Sequence, residues 1–187
     1  MPLTLLNNIL HTVAPWGRAA LLGLAAGALA GCVSSTGPIL GDAKAILGER
    51  IRVHHFTPAK NGVRGYTAGQ YEWVGGRYLP RGAARDIADF TVHAYEGRDL
   101  IIQSRSSRAG RPIQYGLARR IAEGAYLVIP ISAEDADEPT RARFCGKTQD
   151  APCRITTPEQ LFVFARATAA KEEESGGIAL IVPVVRR

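Results

Sequence analysis

Glu96-Gly-Arg-Asp-Leu-Ile-Ile102 and Glu123-Gly-Ala-Tyr-Leu-Val-Ile129 share one pattern, a Glu-Gly turn followed by an apolar run. Each follows a segment in which apolar and polar residues alternate, from Phe90 to Tyr95 and from Tyr115 to Ile121. Alternation with a period of two is typical of strands that bury one face, and a short turn containing Gly joins such strands into a hairpin. The two copies therefore predict two similar hairpins within one antiparallel meander.

Strand patterns also precede these hairpins. Ile51 to Phe56 alternates in the same way, and Tyr71 and Trp73 lead into Gly75-Gly76. Two glycines between strand-like segments suit a type I′ hairpin turn, because both central residues of that turn need a positive φ. The motif Gly69-x-Tyr71-x-Trp73 also resembles the first strand of lipocalin-type barrels, a family of ligand-binding cups, although that family has Gly-x-Trp. This resemblance implies eight strands before the helix.

The composition changes after Ile131. An acidic stretch at 132–143 is predicted to be partly helical, and Thr157-Pro158-Glu159-Gln160 is typical of a helix start, with Thr as N-cap and Pro at the first position. That helix is expected to run to about Glu174, with a final strand from Gly177 to Val185. The predicted fold class is α+β, a mostly antiparallel β-meander with one packed C-terminal helix and a final strand, forming a single domain at 50–187.

The amino-terminal segment has the pattern of an export signal. Ala19–Leu29 is an apolar run of eleven residues, too short to span a bilayer as a helix but typical of a signal-peptide core. The run ends in Leu29-Ala30-Gly31-Cys32, which resembles the lipobox of bacterial lipoprotein precursors. The resemblance implies that 1–31 is a signal peptide, that a peptidase cuts before Cys32, and that this Cys carries diacylglyceryl and fatty acyl groups such as palmitate. An ordinary cleaved signal peptide and an uncleaved anchor helix are the alternatives.

The same resemblance implies a location. The mature chain would be anchored by lipid in the bacterial cell envelope, and Val33 after the Cys matches the enterobacterial pattern for the outer membrane, facing the periplasm. Val33–Gly41 is small and polar, which predicts a tether, and Asp42–Gly48 has the spacing of a weak helical turn. Segment 32–49 is therefore expected to be the lipidated Cys and a tether.

Cysteine usage is consistent with export. Apart from Cys32, the chain contains Cys145 and Cys153. An oxidising compartment allows disulfides to persist, and the segment between these two residues contains Gly and Pro and can turn tightly. A disulfide is predicted; a metal site is the alternative use, but two Cys without a nearby His make only half of one.

Conventional catalytic motifs are not found in the sequence. It contains no Gly-x-Ser-x-Gly and no Gly-rich phosphate loop before a helix. Carboxylates occur in pairs, Asp86 with Asp89 and Glu96 with Asp99, but the pairs stand before a strand and in a turn, where solvated charges are usual. No catalytic residue and no cofactor are predicted.

Three histidines are candidate metal ligands. His54 and His55 are adjacent in a predicted strand, so their side chains point to opposite faces and cannot bind one metal together. Either could combine with His93 across two strands, but no third ligand is evident. The sequence therefore predicts single histidines and no metal site.

The charge is unevenly distributed. The chain of 187 residues is 46% hydrophobic and 21% charged, which excludes a fully disordered chain and a multi-span membrane protein. Residues 50–131 contain 13 basic and 6 acidic side chains, whereas 132–174 contain 6 basic and 9 acidic ones. Candidate anion-binding residues are Arg105, Arg108, Arg111, Arg119 and Arg120. They are expected to bind lipid headgroups, an anionic envelope polymer or a protein partner, the alternative being a solvated basic loop. Nucleic acid is not expected in that compartment.

Two classes of function follow from these features. The first is a non-enzymatic envelope lipoprotein that binds or supports an envelope component. The second is a lipid-anchored periplasmic enzyme whose site is assembled from scattered residues. Several polar residues converging in a deep pocket would favour the enzyme, and a flat basic face would favour the binding module.

Overall fold

A computed structural model describes residues 33–58, 64–82, 89–106, 110–145, 153–171 and 176–184. Within these ranges the chain forms ten strands, two α-helices and one 3-10 turn, Ala133–Asp135. The strands are β1 Val33–Ser35, β2 Arg50–Pro58, β3 Arg64–Val74, β4 Arg77–Arg81, β5 Asp89–Ala94, β6 Asp99–Arg105, β7 Ile113–Ala122, β8 Ala125–Pro130, β9 Cys153–Arg154 and β10 Gly177–Pro183. The helices are α1 Glu138–Phe144 and α2 Pro158–Ala170.

Eight strands close into an antiparallel barrel. Strands β2 to β8 pair in chain order, and β10 completes the ring by pairing with both β8 and β2. The predicted antiparallel meander, packed C-terminal helix and final strand are confirmed, but the α+β class is wrong, because the protein is mostly β and its strands close into a barrel. Closure removes the unpaired edges of an open sheet. The eighth barrel strand follows α2, so the order of elements differs from the eight strands before a helix that the lipocalin resemblance implied.

The two ends of the barrel differ. At one end, the turn end, short hairpins join β3 to β4, β5 to β6 and β7 to β8. The first of them places Gly75 and Gly76 at φ 57° and 82°, as the type I′ prediction requires. At the opposite end, the loop end, the connections β2–β3, β4–β5, β6–β7 and β8–β10 are longer.

The strand register separates an inner from an outer face. Directly opposed residues of antiparallel strands share a face, and the pairs Tyr78↔Phe90 and Ile181↔Val53 both belong to the inner set. The inner set is consistent around the whole ring. It includes Ile51, Val53, His55, Thr67, Gly69, Tyr71, Trp73, Tyr78, Pro80, Phe90, Val92, Ala94, Leu100, Ile102, Ser104, Gln114, Gly116, Ala118, Arg120, Tyr126, Val128, Pro130, Gly177, Ala179, Ile181 and Pro183.

Helix α2 covers the outer face of the barrel at β6 and β7. The Thr157 side chain accepts a hydrogen bond from the Gln160 amide, as the N-cap prediction required. The helix ends at Ala170 rather than near residue 174. Its buried Leu161 and Phe164 join one core cluster with Ile101 and Leu117. The molecule thus has a second core outside the barrel.

The segment before β2 is not the expected tether. β1 is buried, pairs with the first residues of β7, and lies parallel to β9. No helix forms between Asp42 and Gly48, where the chain shows only a turn at Ile46-Leu47. We call residues 33–48 the strap: its first part packs in the outer core through Val33, Ile39 and Leu40, and its last part, at Leu47, packs against the inner cluster before the chain enters β2. Among the described residues, no helix has the length and apolar character needed to span a membrane.

Candidate functional site

The turn-end half of the barrel interior is filled by aromatic rings. The Phe90 ring centroid lies 5.0 Å from that of Tyr71 and 5.0 Å from that of Tyr78, and the Trp73 ring lies 4.9 Å from Tyr78. Burial raises the pKa of Tyr71 to about 12. The Tyr78 hydroxyl accepts a hydrogen bond of 3.0 Å from the Leu47 amide of the strap. We call this set of rings the floor.

The loop-end half of the interior is lined by small or polar residues. We call these residues the cup: His55, Thr67, Gly69, Ser104, Gln114 and Gly116. All six are partly exposed, although they point into a closed ring. On the outer face of β6 and β7, their neighbours Gln103, Tyr115 and Leu117 are only 7%, 4% and 0% exposed. Because the outer face is sealed there, the exposed surface of Ser104, Gln114 and Gly116 lies on the inner face of the barrel.

His55 marks the side of the cup next to β10. A Cβ atom on Gly177 would lie 2.5 Å from Nε2 of His55, so the imidazole occupies the space that Gly177 leaves. Burial lowers the pKa of His55 and keeps its ring neutral near pH 7. A neutral imidazole has one donor and one acceptor nitrogen. None of the six cup residues therefore carries a charge.

An eight-stranded barrel is wide enough either to be filled by its own side chains or to hold one small ligand. Here the floor follows the first possibility, whereas the cup residues have small or short side chains that fill less of the interior. Sequence reasoning missed the cup. Its signal was the placement of glycine at inward positions of three strand patterns, at 69, 116 and 177, but those positions face one interior only when the ring closes.

A buried polar chain fixes the strap to the outer face. The Ser35 hydroxyl lies 2.6 Å from the Tyr115 hydroxyl, which lies 3.4 Å from Oε1 of Gln103. The same Oε1 accepts hydrogen bonds from the amides of Ile39 and Leu40 at 3.2 and 3.3 Å. These contacts satisfy backbone donors that the crossing would otherwise leave buried and unpaired, so their role is structural.

The chain of hydrogen bonds continues to a histidine. Nε2 of Gln103 donates to the Thr91 hydroxyl at 3.2 Å, and that hydroxyl lies 2.9 Å from Nε2 of His93. His93 thus lies on the outer face, whereas His55 lies inside and the His54 ring bonds to the Tyr66 hydroxyl outside. The three histidines do not meet. No group of three or more metal-ligating side chains occurs in the described ranges.

The candidate anion-binding arginines do not form one site. Arg105 and Arg111 belong to the loop end, whereas Arg119 and Arg120 stand near the opposite end of β7. Arg119 lies 3.5 Å from Oδ2 of Asp99 and donates to the Ala169 carbonyl, which ties α2 to the barrel. Arg108 lies outside the described residues.

Asp89 is the acidic partner at the loop end. Its carboxylate lies 3.0 Å from Nη1 of Arg77 and 3.5 Å from Nε of Arg105. Asp86, which the sequence paired with it, lies outside the described residues. The second pair is also occupied, because Glu96 binds Arg166 at 2.9 Å and Asp99 binds Arg119. The described carboxylates of both pairs are therefore partners of arginine.

Two of the three cysteines are described. Cys145 and Cys153 form a disulfide with Cα atoms 4.3 Å apart, which joins the end of α1 to β9. Cys32 lies outside the described residues, but Val33, the next residue, is 1% exposed and belongs to the outer core.

Comparison with known proteins adds no assignment, since the chain matches no family model, no curated protein and no solved structure.

Proposed function

We propose that this protein is a lipid-anchored bacterial envelope lipoprotein whose barrel is a non-enzymatic module that binds a small uncharged ligand in the cup. The lipobox-like Leu29-Ala30-Gly31-Cys32 supports the anchor. Export supports the Cys145–Cys153 disulfide, which persists only in an oxidising compartment. Val33 after the Cys favours the outer membrane, with the barrel facing the periplasm.

The single observation that carries the binding proposal is the exposure of the cup from inside. Ser104, Gln114 and Gly116 point into a closed barrel and remain accessible although the outer face of β6 and β7 is sealed, which supports a space for another molecule on the inner side. The aromatic floor offers an apolar surface beneath them. Because no charged side chain lies among the cup residues, an ionised ligand would lose its hydration without compensation. The ligand class is therefore small, uncharged and amphiphilic.

Ligand binding can be measured by the fluorescence of Trp73. The sequence contains two tryptophans, Trp16 and Trp73, and removal of the signal peptide leaves only the one in the floor. We expect N-phenyl-1-naphthylamine, an uncharged apolar fluorophore, to bind the mature protein saturably and to quench Trp73. The purified protein should also release an uncharged compound that mass spectrometry detects; its recovery in chemically altered form after incubation would favour the enzyme instead.

A matched pair of variants localises the binding. A Cβ at Gly116 would lie 3.5 Å from its nearest neighbour atom, an ordinary contact, so Gly116→Val is tolerated and fills the cup. Ala68→Val places the same side chain on the exposed outer face of β3. We expect Gly116→Val to abolish fluorophore binding and Ala68→Val to retain it. Equal binding by both variants would contradict a site in the cup.

The anchor is tested separately. Cys32→Ala removes the only thiol that the lipobox offers for a thioether, so the precursor should remain uncleaved or the protein should become soluble. Two or more acyl chains at about 0.8 kcal/mol per buried methylene give an effectively permanent anchor. A Cys32→Ala protein that still fractionates with membranes at wild-type size would show that the lipobox interpretation is wrong.

A further inference from the structure

The turn end of the barrel has a groove of its own, formed by residues that the cup does not include. This turn-end groove lies where the β5–β6 and β7–β8 hairpins turn, and its volume is about 360 Å³. Its lining consists of Arg98, Arg120, Ile121, Ala122 and Glu123. Pockets that hold small ligands begin at about 300 Å³, so the groove has room for a small organic molecule.

Two arginines from neighbouring strands line this groove. The last paired position of β6 and β7 at this end is Asp99↔Arg119, so one further step in the same register sets Arg98 opposite Arg120. Like charges at directly opposed positions of antiparallel strands repel each other. Both arginines are exposed, and neither forms an ion pair with a carboxylate of the described residues. An anion bound between the two guanidinium groups would remove this repulsion.

A β-bulge positions the second of these arginines. The pairing of β7 with β8 shifts between Arg120 and Ala122, which leaves Ile121 as an extra residue that is 55% exposed. Nε of Arg120 donates to the Ala122 carbonyl at 3.4 Å. Because the backbone holds Nε, the two terminal nitrogens of the guanidinium remain available as donors. Bulges often aim a side chain in this way next to a functional site.

The lining of the groove restricts the class of ligand. Two arginines against the single Glu123 give a net charge of +1, which matches a ligand with one negative charge. The planar guanidinium fork donates two parallel hydrogen bonds to a carboxylate. Ile121 and Ala122 add apolar surface beside the arginines. These features favour a carboxylate attached to an apolar group.

We propose that the turn-end groove binds a small organic carboxylate, with Arg98 and Arg120 donating to its carboxylate oxygens and Ile121 contacting its apolar part. This site is distinct from the cup, which is proposed to take an uncharged ligand. It also does not depend on the lipid anchor, so the two proposals fail or succeed independently.

Benzoate is the probe, added at low salt to the isotope-labelled purified protein while backbone amide resonances are followed by NMR. We expect saturable shifts at residues 97–98 and 121–124, and no shift at Gly116 of the cup. Benzyl alcohol has the same ring without the charge, and it should produce no saturable shift in the groove. Saturable binding of benzyl alcohol there, or shifts of benzoate confined to the cup, would overturn the proposal.

Single substitutions provide the matched comparison, and all of the substituted side chains are exposed, so the variants should fold. Arg98→Gln and Arg120→Gln should each weaken benzoate binding about fivefold, which corresponds to about 1 kcal/mol for an exposed ion pair. Glu123→Gln should strengthen binding, because it removes the one repulsive charge. Arg52→Gln, on the outer face of β2, should leave binding unchanged. Equal losses in the groove variants and in Arg52→Gln would show that benzoate responds only to the overall charge of the protein.

Discussion

At the scale of single residues, the His55 ring occupies space that is free only because residue 177 is glycine. A Cβ at position 177 would lie 2.5 Å from Nε2 of His55 and 3.0 Å from the Phe56 carbonyl oxygen, which belongs to the backbone of β2. Because inserting atoms into a packed site typically costs about 1–3 kcal/mol, we expect Gly177→Ala to lower the free energy of unfolding by that amount. Urea denaturation measures the loss. Gly116→Ala is the control, since its Cβ would meet nothing closer than 3.5 Å; equal stability of the two variants would contradict the packing argument.

His55 also makes stability depend on pH. Burial lowers its folded-state pKa below the unfolded value of about 6.5, so the unfolded chain binds the proton more readily. The contribution of His55 to the free energy of unfolding should then be fully present above about pH 7. It should decline as the pH falls through the unfolded pKa, by up to about 1.4 kcal/mol per pH unit. The pKa of His93 is lowered by burial in the same direction. We expect His55→Gln to flatten the decline in urea-unfolding free energy, and an unchanged slope would show that His55 does not contribute.

At the scale of elements, sequence patterns predict the features that depend on neighbouring residues and do not predict those that depend on distant pairing. The Gly75-Gly76 turn and the Thr157 N-cap depend on neighbouring residues, so their sequence patterns are sufficient to predict them. Closure of the barrel depends on β10 pairing with β2, more than a hundred residues away, and no local pattern encodes that pairing. The prediction of a tether at Val33–Gly41 was wrong for a related reason. Small polar residues such as Ser35 are typical of a tether, and only the distant Tyr115 and Gln103 make them buried.

The same contacts give a prediction about the strap. Tyr115→Phe removes a hydroxyl that lies 2.6 Å from the Ser35 hydroxyl and leaves Ser35 only its hydrogen bond to the Gly37 carbonyl. One lost hydrogen bond costs about 0.5–1.5 kcal/mol, so the unfolding free energy should drop by that amount, with faster hydrogen exchange at residues 33–40. Tyr66→Phe is the matched control, because the hydroxyl of Tyr66 bonds to His54 at an exposed position. If both variants lose the same stability, the polar chain does not hold the strap.

At the scale of the whole molecule, the ring has one weak seam. β4 and β5 share a single paired position, Tyr78↔Phe90, whereas β5 and β6 share six. Side-chain contacts join β4 and β5 where backbone pairing is lacking. Inside, the Tyr78 and Phe90 rings stack with centroids 5.0 Å apart, and outside, Asp89 binds Arg77 at 3.0 Å and Arg105 at 3.5 Å. A barrel joined at one seam by side chains rather than by backbone hydrogen bonds should open there first.

Hydrogen exchange tests that expectation, because amides exchange when their region opens locally, and regions with few backbone hydrogen bonds open at the lowest free energy. We expect peptides of β4 and β5 to exchange before those of β2, β3 and β7. Asp89→Asn should accelerate exchange at the seam selectively, since it weakens both arginine contacts of that carboxylate. Asp99→Asn weakens a comparable contact with Arg119, but between strands that share six paired positions, and it should leave the order of opening unchanged. Exchange that begins elsewhere, or that responds equally to both variants, would mean that the stacked rings alone make this seam as strong as the hydrogen-bonded ones.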